Sequence, residues 1–189
     1  MAVTSDFGSS DSDNITNDAT PTFNGTDEAG ATVKAYAGAN LLGETSADST
    51  GKWSFTPSDA LSDNAYSITA TATDKAGNTS QPSEALSVTI DTVAPVAPVI
   101  TNPADNSSYG TGNFTVSGIA EQNTSVEPFE DLASQGKSSG APDGAWTIDL
   151  AGVPDGEHTY VARATDVAGN TSTASDAVRV TVDTGVPAS

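Results

Sequence analysis

Cysteine is absent from this chain, which excludes disulfides, thiol catalysis and Cys-ligated zinc. Histidine occurs once, at His158, so no multi-histidine metal centre can form, and the residue reads as an exposed strand histidine. Positive charge is scarce: 6 lysines and arginines stand against 25 aspartates and glutamates, a formal charge of −19. Such a surface repels phosphates and anionic headgroups alike, so neither nucleic acid nor an anionic membrane surface is an expected partner. No apolar run approaches the roughly 20 residues of a membrane-spanning helix, and direct membrane insertion is not expected. The first residues do not read as a signal peptide, so an export address is expected elsewhere in the parent chain. Aromatic residues make up only 6% of the chain, too few to suggest a substrate cleft.

What is present is a repeat. Ala72–Ser80, reading ATDKAGNTS, returns as ATDVAGNTS at Ala164–Ser172. SVTIDT at Ser87–Thr92 returns as RVTVDT at Arg179–Thr184. Asp74 and Asp166 lie 92 residues apart, as do Asp91 and Asp183, while Trp53 and Trp146 lie 93 apart. A solenoid unit has a period of roughly 20–50 residues. This spacing is that of an autonomous small domain, so residues 1–93 and 94–189 are expected to be two copies of one domain.

Short alternating segments, rich in Thr, Ser, Ala and Val and punctuated by Gly, Asn and Asp, indicate all-β sandwiches. The first copy is expected to place strand B at Thr20–Thr26, C at Ala31–Ala37 and D at Leu42–Ala47. E follows at Lys52–Thr56, F at Ala65–Thr73 and G at Ala85–Asp91. The second is expected to place A near Pro98–Thr101, B at Asn113–Ala120, C at Ser125–Phe129 and D at Gln135–Ser139. Its E follows at Ala145–Leu150, F at His158–Thr165 and G at Ala177–Asp183. The fold class is two tandem seven-stranded sandwiches joined by a short proline-containing linker. Trp53 and Trp146 are expected as core anchors. Tyr66, Ile68 and Ala70 share one face of strand F, and Thr69, Thr71 and Thr73 form its solvated face.

In an antiparallel sandwich of this order, the BC, DE and FG loops share the upstream end. The AB and EF loops share the downstream end with the last residue of strand G. Asp27, Glu28 and Asp74 therefore gather at the upstream end of the first copy. Asp91 faces the upstream end of the second copy, where Glu121, Asp166 and Asn170 lie. Two like charges 4 Å apart repel by about 4 kcal/mol at an effective dielectric near 20. A hard divalent cation reverses the sign, and calcium accepts six to eight oxygens in tolerant geometry. Asp, Glu, Asn and Thr without Cys form a donor set for Ca2+ rather than zinc or copper. The other reading of the acidity is simply solubility.

The linker Asp91–Pro98 holds Pro95 and Pro98, which make it a stiff spacer. A second acidic run, Asp6–Asp18, is expected as the AB loop, with Asp11, Asp13 and Asp18 as metal ligands and Asp63 of the EF loop at the same end. It lacks the EF-hand offsets, and reads either as an intradomain calcium loop or as a solvated turn.

The paired motifs, ATDxAGNxS followed by a strand ending VTIDTxAP, resemble the bacterial Ig-like repeats of giant, type I-exported RTX-type adhesins. Asp74–Ser80 with Ile90–Pro95, and Asp166–Ser172 with Val182–Pro187, carry the match, and Asp11–Asp18 resembles the acidic AB loop of such repeats. The resemblance implies a monomeric extender segment, secreted to the bacterial cell surface. Calcium ions and neighbouring Ig-like repeats would be its partners, and its calcium-braced junctions would project adhesive modules away from the cell. Two departures stand out: Pro128 is expected to interrupt strand C of the second copy, and Val186 replaces the usual Ala before Pro187. Two other functions compete. The irregular stretch Glu127–Gly140 could form a sugar or peptide site. Paired carboxylates such as Asp143 with Asp149, or Glu121 with Asp166, could serve a polysaccharide-active enzyme, but that chemistry needs a cleft.

Overall fold

Alternation decides this fold, because each strand carries one apolar and one polar face and must bury the first against a second sheet. The computed structural model describes residues 1–139 and 141–186. Gly140, the end of the irregular stretch, and Pro187, the end of the second motif, lie outside the described residues. Among the described residues all seventeen elements are strands, and they fall into two compact units, one on Met1–Val93 with Val167–Gly169 and one on Ala94–Asp166 with the residues from Asn170 onward.

In the first unit, β1 (Ala2–Val3), β3 (Phe23–Thr26) and β6 (Lys52–Phe55) form a three-stranded sheet in the order β1-β3-β6. The facing sheet takes β2 (Ile15–Thr16), β4 (Thr32–Ala37), β5 (Asn40–Ser46), β7 (Asn64–Thr73) and β8 (Leu86–Ile90), in the order β2-β8-β7-β4-β5. Strand A is thus split between the sheets, with β2 running parallel to β8, so the acidic run Asp6–Asp18, expected as the AB loop, instead joins the two halves of strand A and carries β2 itself. Phe23, Val33, Trp53, Ile68, Val88 and Ile90 fill the space between them. Tyr66, Ile68, Ala70 and Ala72 turn inward along β7, while its threonines stay half-exposed.

The second unit repeats the plan. Here β9 (Val99–Asn102), β11 (Phe114–Ile119) and β15 (Ala145–Leu150) form the smaller sheet. The larger contains β10 (Ser107–Tyr109), β12 (Ser125–Glu130), β16 (Gly156–Thr165) and β17 (Val178–Val182), with the fragments β13 (Ala133–Ser134) and β14 (Ser138–Ser139) on β12. Trp146, Phe114, Val116, Val126, Tyr160 and Val180 make the core. Both tryptophans are buried, and each lies on a glycine of strand B. A Cβ at Gly25 would meet the Trp53 ring at 2.6 Å, and one at Gly118 would meet the Trp146 ring at 2.9 Å.

Several expectations need correction. Strand B of the first unit begins at Phe23, not Thr20, and strand D of the second is two fragments rather than Gln135–Ser139. Pro128 does not interrupt strand C: β12 pairs continuously with β16, Pro128 standing opposite Ala162. The carbonyl of Pro128 accepts from the Gln135 amide at 2.9 Å, so its missing N–H points to the outer edge, where the ladder is broken anyway. His158 is not exposed; it is 7% accessible and packed between β12 and the loop before β16. The β12–β13 hairpin turns on Asp131 (φ 45°) and Leu132 (φ 74°), a left-handed pair that favours Asn-Gly or Asp-Gly. Leu132 holds this costly conformation while 91% exposed.

Candidate functional site

The repeated motif is first of all a loop clasp. Asp74 Oδ1 accepts from the Asn78 amide at 2.8 Å, and Oδ2 accepts from Asn78 Nδ2 at 2.7 Å. The peptide chain closes the same ring: the Asp74 amide donates to Asn78 O and the Gly77 amide to Asp74 O, with Gly77 at φ 91°. Asp166 and Asn170 repeat the arrangement at 2.9 and 3.0 Å. The side-chain and backbone donors of Asn78 hold the Asp74 carboxyl below the usual carboxylate range. Five residues with Gly at the left-handed position are what this closed loop requires, which explains the pattern Asp-x-Ala-Gly-Asn.

A second clasp sits at the opposite end of each unit. Asp63 Oδ1 accepts from Thr92 N at 3.0 Å and Thr92 Oγ1 at 2.9 Å. Asp155 does the same with Thr184 at 3.0 and 2.8 Å. These bonds pin the EF loop to the end of strand G and account for the Asp-Thr that closes each repeat. Asp91 Oδ1 accepts from the Val93 amide at 3.1 Å, and Asp183 Oδ1 from Gly185 at 3.0 Å.

Two pairs of serines escaped the sequence reading. Ahead of β8 and β17 the chain runs beside strand F before ladder pairing begins, and hydroxyls take up the open amides. Ser80 and Ser83 Oγ accept from Ala72 N and Ala70 N, each at 3.0 Å. Ser172 and Ser175 Oγ accept from Ala164 N and Ala162 N at 2.9 and 3.0 Å. The signal was present, since Ser80 and Ser83 recur 92 residues on. Ser172 is fully buried, so Ser172→Ala strands the Ala164 amide and is expected to destabilise the second unit by about 1–3 kcal/mol. Chemical denaturation checks this; an unchanged midpoint would show that the amide finds another partner.

The acidic residues singled out for metal lie as follows. Asp27, Glu28, Asp74 and Asn78 line one hollow of about 230 Å3 at the upstream end of the first unit. Asp27 Oδ1 accepts from the Glu28 amide at 2.8 Å. Asp91 belongs to the first unit; Glu121, Asp166 and Asn170 belong to the second. Glu121 is exposed, and its Oε2 accepts from Val96 N at 3.2 Å. In the AB run Asp11 is exposed, Asp13 Oδ1 accepts from Ile15 N at 3.0 Å, and Asp18 Oδ1 accepts from Thr20 N at 2.8 Å. Asp63 is engaged with Thr92. Among the described residues no three Asp, Glu or His side chains converge closely enough to form a ready-made metal site.

One carboxylate departs from this pattern of local turns. Asp6, at the head of the AB run, is 9% accessible. Its Oδ2 accepts from Asn14 N at 2.9 Å, and Oδ1 is buried without a hydrogen-bond partner. The run is anchored beneath it by Thr16, whose hydroxyl donates to Ser5 O at 2.8 Å and accepts from Phe7 N at 3.3 Å and Asp18 N at 3.1 Å. A buried, acceptor-only oxygen with no donor is costly. On donor chemistry the AB run fits a hard cation: carboxylates, hydroxyls and backbone carbonyls, with no soft ligand.

Residues 1–92 and 104–184 match the family model of the bacterial Ig-like domain. The chain belongs to that family. This bacterial Ig-like pair is 36% identical over 156 residues to Exoglucanase B of Cellulomonas fimi, covering 77% of this chain and 13% of that protein. The chain thus spans only a small part of that relative's length. Among solved structures it is similar to the fibronectin(III)-like modules of Clostridium thermocellum CbhA. That likeness has 19% identity, covers 89% of this chain and 87% of that one, and has a TM-score of 0.58. It is also similar to a Ca2+-stabilized adhesin with which an Antarctic bacterium binds ice, at 26% identity, over 99% of this chain and 50% of that one, with a TM-score of 0.45. Among the described residues no helix is long and apolar enough to cross a membrane.

Proposed function

We propose that this bacterial Ig-like pair is a calcium-stiffened extender segment of a secreted, cell-surface adhesin of the RTX type. It would act as a monomer within a chain of neighbouring repeats and hold adhesive modules away from the cell. The reading assigns no catalysis. The observation that carries it is where the repeated motifs are spent. Asp74 with Asn78, Asp166 with Asn170, Asp63 with Thr92 and Asp155 with Thr184 all close loops at the ends of the sandwiches. Fixed ends are what a rod needs, and a binding cleft or reaction centre does not require them.

On this reading calcium would occupy two places within the pair and a third that faces a preceding repeat. One is the AB run, where Asp6 would supply its orphan oxygen and Asp11, Asp13 and Asp18 the remaining charge. The other is the junction, where Asp91 would share an ion with Glu121, Asp166 and Asn170. Asp27, Glu28 and Asp74 would form the equivalent upstream site for a preceding repeat. The ion would convert a proline-stiffened hinge into a joint whose bending strains metal–oxygen bonds.

Small-angle scattering tests this directly. The chain in calcium is expected to show a narrower distribution of interatomic distances than in chelator. Asp91→Asn should move the calcium profile toward the chelated one, and exposed Asp59→Asn should not. Equal profiles at full calcium occupancy would overturn the braced joint.

The identity to a stretch of Exoglucanase B favours a second reading, in which the same pair spaces the modules of a secreted polysaccharide-active enzyme. The mechanical role is unchanged, and only the cargo differs.

A further inference from the structure

The two units tie the start of strand F to the preceding loop by different chemistry. In the first, Tyr66 Oη donates to Ser62 O at 2.9 Å. The equivalent positions 92 residues on are His158 and Pro154, where Nε2 faces Pro154 O at 2.9 Å. The other ring nitrogen, Nδ1, faces Oε1 of Glu130 at the end of β12. Both partners are acceptors. A neutral imidazole has one N–H and can satisfy one of them; only the imidazolium donates to both.

The surroundings make that choice consequential. His158 is buried, with Tyr160 next along the same inward face and Glu130 and Asp131 on the neighbouring strand and turn. Glu157 and Arg179, of opposite charge, line with His158 a hollow of about 150 Å3, and Asp155 is engaged with Thr184. Glu130 adjoins the left-handed pair Asp131-Leu132, and the Asp131 amide donates to Thr159 O at 3.4 Å.

We propose that His158 makes the second unit's loop tie a proton-operated clasp. Charged, it joins the loop before β16 to the end of β12 and holds the strained β12–β13 hairpin down. Neutral, it must release either Glu130 or Pro154. The first unit has Tyr66 in the same place and therefore no imidazole there.

Burial opposes the imidazolium, but the Pro154 carbonyl and the Glu130 and Asp131 carboxylates outweigh it and raise the His158 pKa above its ordinary 6.5. A raised folded value means the couple adds stability below about pH 6.5 and loses it as pH climbs through the folded value. The same burial, with Glu130 beside it, pushes the Tyr160 phenol far upward, so Tyr160 does not titrate in this range.

Because the chain has one histidine, its imidazole resonance is unambiguous in NMR. The wild-type titration midpoint is expected above 6.5 and should fall in Glu130→Gln. Hydrogen exchange at the Asp131 amide, corrected for intrinsic chemistry, should be slower at about pH 5.5 than at about pH 8. That difference should vanish in both Glu130→Gln and His158→Gln. A midpoint at or below 6.5, a midpoint indifferent to Glu130→Gln, or pH-independent protection of Asp131 in the wild type would each overturn the clasp.

Discussion

Trp53→Ala is expected to cost the first unit about 3–5 kcal/mol and to leave the second unit's unfolding transition where it was. Trp53 is 6% accessible and packs with Phe23, Val33 and Ile68, its ring lying on Gly25. Removing it opens a cavity that Gly25 cannot fill and that the two sheets cannot close without breaking register. Small domains hold only about 5–15 kcal/mol in total, so the loss removes a large share of the unit's stability. At about 4–8 °C per kcal/mol for a domain of this size, the first transition should fall by roughly 20 °C. The second unit keeps a separate core around Trp146, Phe114 and Tyr160. Differential scanning calorimetry should therefore resolve one displaced and one stationary transition. Transitions that move together would show that the two units unfold as one, against the separate cores described above.

The order of strands was legible because each strand is short, alternating and bounded by turn residues, and because a motif seen twice fixes its own boundaries. Trp53 and Trp146 stood out as anchors on the same ground. The loop positions of Asp74 and Asp166 followed from the repeat, but not their bonding: that Asp74 spends both oxygens on Asn78 depends on the left-handed turn at Gly77. The inward position of His158 is legible in the sequence. His158, Tyr160, Ala162 and Ala164 share parity along one strand, so the histidine had to face inward with them. What parity could not supply is Glu130, which reaches Nδ1 from another strand 28 residues earlier. Pro128 misled for a related reason. Whether a proline breaks a strand depends on which side its absent N–H would face, and that is set by register. Asp6 carried no local signal, since its burial comes from the way Thr16 anchors the AB run from below.

Calcium should raise the melting temperature of the first unit, and Asp6 should be the residue that decides by how much. Binding to the native state alone stabilises by RT ln(1 + [L]/Kd), about 2.7 kcal/mol at a hundredfold excess. For an extracellular module with Kd near 10⁻⁴–10⁻³ M, about 10 mM calcium lies ten- to a hundredfold above Kd. The expected gain is then about 1.4–2.7 kcal/mol per site, or on the order of ten degrees. Magnesium, which prefers a smaller octahedral cage and gives up water reluctantly, should do less. Asp6→Asn separates this from a general screening of the −19 charge. In chelator the variant should be no less stable than the wild type, because an amide keeps the bond from Asn14 N and removes a buried charge whose second oxygen has no donor. In calcium the variant should gain far less in the first transition, while the second transition, assigned by comparison with Trp53→Ala, should respond as in the wild type. A calcium shift of equal size in Asp6→Asn and wild type would remove Asp6 from the site, and identical melting curves in calcium and chelator would remove the ion from the mechanism.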